Sequence, residues 1–172
     1  ELLRRAGIDD EEWIACVLAH HELDDGSGYP RGLRASEIPE AARLVGMADR
    51  YCALVFARNY RRSLLPPDAL KKLSADCNHA WLVAAFEQEI GPYPPGSLVR
   101  LFNGETGVVS ARRGFDGARQ VHTLRDPMGV PFAPVEQRST REPHFEIVAA
   151  LHEEKEKMRF SMRQIWGDAA AL

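Results

Sequence analysis

The chain of 172 residues has few cysteines, no long apolar run and no strong excess of charge. Its three cysteines, Cys16, Cys52 and Cys77, are odd in number and lack Cys-x-x-Cys spacing, which indicates reduced thiols. No apolar run reaches the ~20 residues that a membrane helix needs, so we expect no membrane segment. With 22 basic and 25 acidic residues, the formal charge of −3 argues against a nucleic-acid polymer as the partner. We therefore expect a cytoplasmic globular protein.

The first half of the chain has the apolar periodicity of helices. The predicted helices cover 11–21, a segment from after Pro39 to about 57, about 68–73 and about 79–90. A segment rich in proline and glycine, 91–96, then predicts a boundary, because these residues end helices.

The second half predicts a small antiparallel β module. Asn103-Gly104 lies between two strand-like runs and is a strong hairpin signal. The strand-like runs cover 97–102, 106–111, 119–124 and 130–136. A helical pattern returns at 143–166. The predicted fold is mainly α, with a helical domain at 1–91, the β module at 92–140 and a C-terminal helix at 141–172.

The segment HHELDDGSGYP at 20–30 ends the first helix with two adjacent histidines and continues into a glycine-rich turn. Histidine is a common metal ligand and titrates near neutrality, so a doublet beside acids suggests metal chemistry. His20 and His21 follow the apolar side of their helix, although packed or surface histidines are the simpler alternative. Gly26, Gly28 and Pro30 need be no more than a turn.

Asp49 lies within an apolar stripe of the helix that follows Pro39. The stripe consists of Ala42, Val45, Gly46, Cys52, Ala53 and Phe56. A buried carboxylate costs several kcal/mol unless a cation or hydrogen bonds pair with it, so we expect a partner for Asp49. Two neutral imidazoles and one carboxylate suit zinc or an iron-type ion. A salt bridge from Asp49 to Arg43 or Arg50 is the alternative.

Arg58 and Arg61 are three residues apart and would share a helix face. Guanidinium groups bind phosphate oxygens through bidentate hydrogen bonds. Arg58 and Arg61 near a metal site therefore suggest a phosphate ester as substrate. A solvated basic face is the simpler interpretation.

These segments together resemble the second half of the HD-GYP family. The matching strings, in order, are HHELDDGSGYP, IPEAARLVGMADRYCAL and ARNYRRS. The later string FEQEIGPYPPGSLVRLFNGETGVV is similar to the stretch that often closes such domains. The resemblance covers about residues 1–110 and implies a partial HD-type helical domain.

The resemblance implies metal-assisted hydrolysis of the bacterial second messenger cyclic di-GMP. The implied cofactors are two or three divalent metal ions, often iron, with manganese as the other candidate. His20, His21 and Asp49 match metal ligands of the family, and Arg58 and Arg61 match positions that hold substrate phosphate.

The resemblance also assigns a namesake loop that shapes one side of the site and contacts signalling protein domains. Its residues here are Asp25, Gly26, Gly28, Tyr29 and Pro30.

The chain departs from the family pattern ahead of the doublet. The family's His-Asp pair, two further histidines and a lysine precede the doublet, whereas residues 1–19 contain no histidine and the chain begins with glutamate. We therefore expect one part of a phosphodiesterase site, not a competent enzyme by itself. The alternative is a degenerate HD-GYP module that binds a ligand or a protein without catalysis.

Overall fold

A computed structural model describes residues 2–56, 63–111, 117–158 and 160–167. The chain divides into two compact units. Unit 1 comprises Glu1–Ser63 and Leu73–Leu82, and unit 2 comprises Leu64–Lys72 and Val83–Leu172. Among the described residues, no helix is long and apolar enough to cross a membrane.

The helices of the first half are α1 (Leu2–Arg5), α2 (Glu11–Ala19), α3 (Glu40–Val55), α4 (Pro66–Asp76) and α5 (Ala80–Ile90), with a 3-10 turn at Ala35–Glu37. Four of these helices follow the predicted segments, although α2 ends at Ala19, before the histidine doublet, and α1 was not predicted. Asp10 caps α2, because its carboxylate accepts the backbone N–H of Trp13 at 2.9 Å. Gly91 ends α5 with a φ of +66°, a conformation that favours glycine.

Small side chains form the contact between α2 and α3 in unit 1. Cys16 and Ala19 pack with Ile38 and Ala42, which lets the two helices approach closely. Burial raises the pKa of the Cys16 thiol. Burial also raises the pKa of Tyr51, on the buried side of α3, to about 12.

Unit 2 contains a five-stranded antiparallel sheet in the order β4-β3-β2-β1-β5. Its strands are β1 (Leu98–Leu101), β2 (Thr106–Val109), β3 (Gln120–Arg125), β4 (Pro131–Ser139) and β5 (Ile147–Ala150). The short helices α6 (Glu153–Glu156) and α7 (Met162–Trp166) follow. Leu98 and Val108 pack against Met158 and Ile165 from this C-terminal segment, so the sheet and the segment share one core.

The predicted fold class is confirmed: a helical region precedes an antiparallel sheet and a short C-terminal helix. The predicted helical pattern at 143–166 is wrong over Ile147–Ala150, which form β5 and pair with β1. An exposed strand edge offers unpaired backbone groups, and this pairing overrides the local periodicity. The domain boundaries at 91 and 140 stay predictions.

An ion pair in unit 2 joins β4 to the turn between β1 and β2. The Arg138 guanidinium donates to both carboxylate oxygens of Glu105, at 3.0 and 3.1 Å, and Glu105 is only 6% exposed. The guanidinium carbon also lies 4.9 Å from the ring centroid of Phe145. The hydrogen bonds that Arg138 donates to Glu105 raise the pKa of Arg138, and the bond to Glu136 adds to this.

Replacing Glu105 by glutamine should destabilise unit 2. The substitution removes the carboxylate while the Arg138 charge stays half-buried, so we expect a loss of about 2 kcal/mol in the free energy of unfolding. Urea unfolding followed by circular dichroism measures it. The exposed Glu142→Gln is the control and should change stability by less than about 0.5 kcal/mol. Equal stability of the two variants would contradict the assigned role of the pair.

Candidate functional site

The histidine doublet lies directly after α2 in unit 1. The backbone N–H of His20 donates to the Cys16 carbonyl at 3.0 Å, which extends the last turn of the helix. Its ring Nδ1 lies 2.8 Å from the Val17 carbonyl oxygen. A carbonyl can only accept, so Nδ1 donates its proton here, which leaves Nε2 as the ring nitrogen that can offer a lone pair. The rings of His20 and His21 are adjacent, with centroids 3.9 Å apart.

Gly46 of α3 lies against the backbone of His20. A Cβ atom at this position would overlap the His20 carbonyl oxygen, and both atoms belong to rigid backbone. Glycine therefore allows α3 to approach the doublet. The residue fixes where α3 crosses the end of α2.

The buried Glu22 anchors the loop that follows the doublet. It is 6% exposed, and its two carboxylate oxygens accept the backbone N–H groups of Arg31 at 2.7 Å and Leu33 at 2.9 Å. Charge-assisted hydrogen bonds of this kind compensate for burying a carboxylate. The loop is thereby drawn back towards the end of α2. Sequence reasoning missed Glu22, although an acid placed between the doublet and a glycine-rich turn was an available signal.

The same loop places Tyr29 on the doublet. The Tyr29 N–H donates to the His21 carbonyl at 3.2 Å, and its ring stacks on the His21 ring with centroids 4.7 Å apart and planes 27° apart. Gly28 makes this turn possible, because a Cβ there would overlap the backbone of Glu22 and Leu23. The predicted loop is thus brought against His21.

The remaining loop residues shape its base and tip. Asp25 pairs with Arg34 as an isolated antiparallel bridge, and Gly26 has a φ of +81°. The Ser27 hydroxyl and N–H donate to Asp25 at 2.6 and 2.9 Å, and the hydroxyl bond is the main cause of a lowered pKa for that carboxyl. Pro30 is exposed, and the peptide bond before it is cis.

A small polar cleft of about 150 Å³ lies beside the doublet in unit 1. Asp24 lines the cleft and has two polar partners: one carboxylate oxygen lies 3.2 Å from Nε of Arg43 and the other 2.7 Å from Nε2 of His79. The Arg43 guanidinium also donates to the Ala35 carbonyl at the other end of the loop. Arg43 therefore holds both ends of the loop against α3.

The predicted burial of Asp49 is wrong. Asp49 is exposed, and so are Val45, Cys52 and Phe56 of the predicted stripe, with Phe56 68% exposed. The buried side of α3 consists of Ala42, Gly46, Met47, Tyr51 and Leu54. The helix has two apolar stripes, and its packing in unit 1 buries the other one. The alternative salt bridges are also not formed, because Arg43 pairs with Asp24 and Nε of Arg50 donates to the Gly46 carbonyl.

The predicted ligands only partly fit a metal ion. His20 and His21 are adjacent, and the Val17 carbonyl orients one of the two rings as metal-bound histidines require. Within residues 2–56, 63–111, 117–158 and 160–167, however, no three His, Cys, Asp or Glu side chains are grouped closely enough to hold an ion. The described residues therefore do not fit a complete metal site. Arg58 and Arg61 lie outside the described residues.

Part of the chain, including the doublet and the loop, is similar to a known protein family. Residues 3–82 match the family model of the HD domain. This part of the chain is an HD domain. The matched segment contains the doublet, the loop and α3, and the resemblance to HD-GYP phosphodiesterases is confirmed as homology over part of the chain. HD domains generally bind divalent metals.

Three relatives illustrate the homology of this HD domain. The chain is 36% identical over 103 residues to a cyclic di-GMP phosphodiesterase of Pseudomonas aeruginosa, covering 59% of this chain and 25% of that protein. It is 48% identical over 59 residues to a cyclic di-GMP phosphodiesterase response regulator of Xanthomonas campestris, covering 34% and 16%. It is 51% identical over 53 residues to a 3′3′-cGAMP-specific phosphodiesterase of Vibrio cholerae, covering 30% and 12%. The chain thus spans about a quarter or less of these relatives.

Replacing Glu22 by glutamine should loosen the loop. The amide group presents an N–H to one of the two backbone donors, so one hydrogen bond is lost and two donors face each other. We expect the Arg31 and Leu33 amides to exchange about tenfold faster, corresponding to ~1.4 kcal/mol of local opening free energy. Hydrogen exchange followed by NMR measures it. Unchanged protection, equal to that in the exposed control Glu87→Gln, would refute the anchoring role.

Replacing Gly46 by alanine should destabilise the HD domain, although the same change elsewhere in a helix stabilises by up to ~1 kcal/mol. The new methyl group would overlap the His20 carbonyl, so we expect a net loss of about 2 kcal/mol. Thermal and urea unfolding give the sign directly. A stabilised variant would mean that α3 can move away from the doublet without cost.

Proposed function

We propose that this chain is part of a metal-dependent phosphodiesterase that hydrolyses cyclic di-GMP in bacterial second-messenger signalling. The observation that carries the proposal is the doublet itself: His20 is oriented by Val17, His21 is stacked under Tyr29, and both lie in a segment homologous to such enzymes. His20, His21 and Asp49 would serve as metal ligands. The ions would be iron or manganese, as the HD-GYP resemblance implies.

Each side chain of the proposed site has a chemical role that suits its type. A neutral imidazole with its proton held on Nδ1 offers Nε2 as a ligand atom, and the carboxylate of Asp49 offers oxygen. Arg58 and Arg61 would bind the phosphate oxygens through bidentate hydrogen bonds. A cytoplasmic location and contacts between the loop and signalling domains belong to the same proposal.

A second candidate is a module that binds a ligand or protein without catalysis. Asp49 is exposed, and the described residues do not group three ligands around one ion, which favours this alternative. The two candidates share the doublet and the loop. They differ in whether the doublet holds a metal that acts on substrate.

The His21→Ala variant of the natural full-length gene product separates the two candidates. If the doublet ligates metal, the variant should lose bound metal and at least about 100-fold in cyclic di-GMP turnover, because a ligand is removed outright. Metal content by mass spectrometry and product formation by chromatography measure the two effects.

The exposed His144→Ala is the matched control and should keep both metal and turnover. Unchanged metal content and turnover in His21→Ala would show the site assignment to be wrong. A parent protein that binds cyclic di-GMP without hydrolysing it would favour the non-catalytic module.

A further inference from the structure

His79 ties the short connection between α4 and α5 to the loop of the candidate site. The connection spans 77–79, and Nε2 of the imidazole lies 2.7 Å from a carboxylate oxygen of Asp24, 55 residues earlier in the chain. An ionised carboxylate can only accept, so Nε2 donates whether or not the ring is protonated. The contact therefore does not need a charged imidazole.

This contact lies where the two ends of the loop meet. The Asp24 carbonyl accepts the backbone N–H of Ala35 at 3.1 Å, and the Ala35 carbonyl accepts from Arg43. Nε of Arg43 in turn donates to the other carboxylate oxygen of Asp24 at 3.2 Å. Asp24 therefore joins three segments of unit 1: the loop, α3 and the connection that carries His79.

The three side chains of this junction, Asp24, Arg43 and His79, are partly shielded from water. Their exposed fractions are 26%, 18% and 27%. Hydrogen bonds to a charge in such surroundings are screened less than those of a fully exposed ion pair. Without the imidazole, one hydrogen bond fewer would orient the carboxylate at the base of the loop.

We propose that His79 is a positioning residue for the candidate site, which acts through Asp24 to fix the base of the loop beside the histidine doublet. Within the part of the chain that the structure describes, no hydrogen bond or ring contact joins His79 to His20, His21 or Tyr29. Its influence on them passes through the junction. The consequence for turnover rests on the proposed function.

Hydrogen exchange of the Ala35 amide in the natural full-length gene product tests the positioning role directly. His79→Leu retains a bulky side chain but has no donor, so the base of the loop should open more often and the amide should exchange about tenfold faster. His79→Gln should return exchange to within about twofold of the parent, because its side-chain amide can donate to the same carboxylate oxygen. Loss of packing alone would not discriminate between the two variants in this way.

A double-mutant cycle tests whether His79 acts through Asp24. Asp24→Ala removes the acceptor, so adding His79→Leu to it should change exchange of the Ala35 amide by less than about twofold. Effects of the two substitutions that simply multiply would overturn the proposal, because His79 would then act by another route.

Turnover and metal content of the same full-length variants connect the junction to the reaction. His79→Leu should keep its bound metal and lose about tenfold in kcat/KM for cyclic di-GMP, because the loop is displaced while the doublet is intact. His79→Gln should recover most of this loss. The control His144→Ala, an exposed histidine of unit 2, should leave exchange, metal content and turnover unchanged.

The outcomes separate this inference from the proposed function. Unchanged exchange in His79→Leu would overturn the positioning role, whatever the turnover. Faster exchange with full turnover in an active parent would also overturn it, since the loop base would then not matter for the site. A parent that does not hydrolyse cyclic di-GMP would overturn the proposed function, whereas faster exchange that His79→Gln reverses would still support His79 as the residue that positions the loop.

Discussion

The buried carboxylate of Glu22 is the interaction on which the candidate site depends. A carboxylate removed from water must find donors, and this one accepts from the backbone of Arg31 and Leu33, nine and eleven residues further along the chain. These bonds reverse the direction of the chain after α2. The turn then places the Tyr29 ring on the His21 ring. The buried charge thus fixes the return of the loop, whereas Gly28 permits the turn and Arg43 ties the loop to α3.

Local signals in the sequence were sufficient for most of the fold. The turn at Asn103-Gly104 and the stop at Gly91 act through their own backbone geometry, so they could be predicted without knowing their surroundings. Strand β5 could not, because its pairing depends on β1, which lies almost fifty residues earlier. The apolar periodicity within 143–166 favours a helix, but pairing with β1 stabilises a strand at this position instead.

The local contacts around the predicted site residues were only partly predictable from the sequence. The doublet and the loop are brought together as expected, whereas Asp49 is exposed. Helix α3 carries apolar residues around much of its circumference, and periodicity alone does not choose which stripe is buried. The choice is made by Gly46 against His20 and by Ala42 in the core of small side chains. Each close approach depends on the relative position of two elements, which the sequence of one element does not determine.

The packing around Gly28 changes what the motif at 20–30 can be taken to signify. Gly28 and Glu22 are needed for the chain to turn at all, because one avoids a steric overlap and the other satisfies two backbone donors. A related protein without hydrolytic activity would still need both residues in order to fold this loop. Exposed side chains of the loop, such as Tyr29, could be substituted in such a protein without loss of the turn. Finding this string in a related chain would therefore indicate the loop architecture, and it would not by itself indicate hydrolysis.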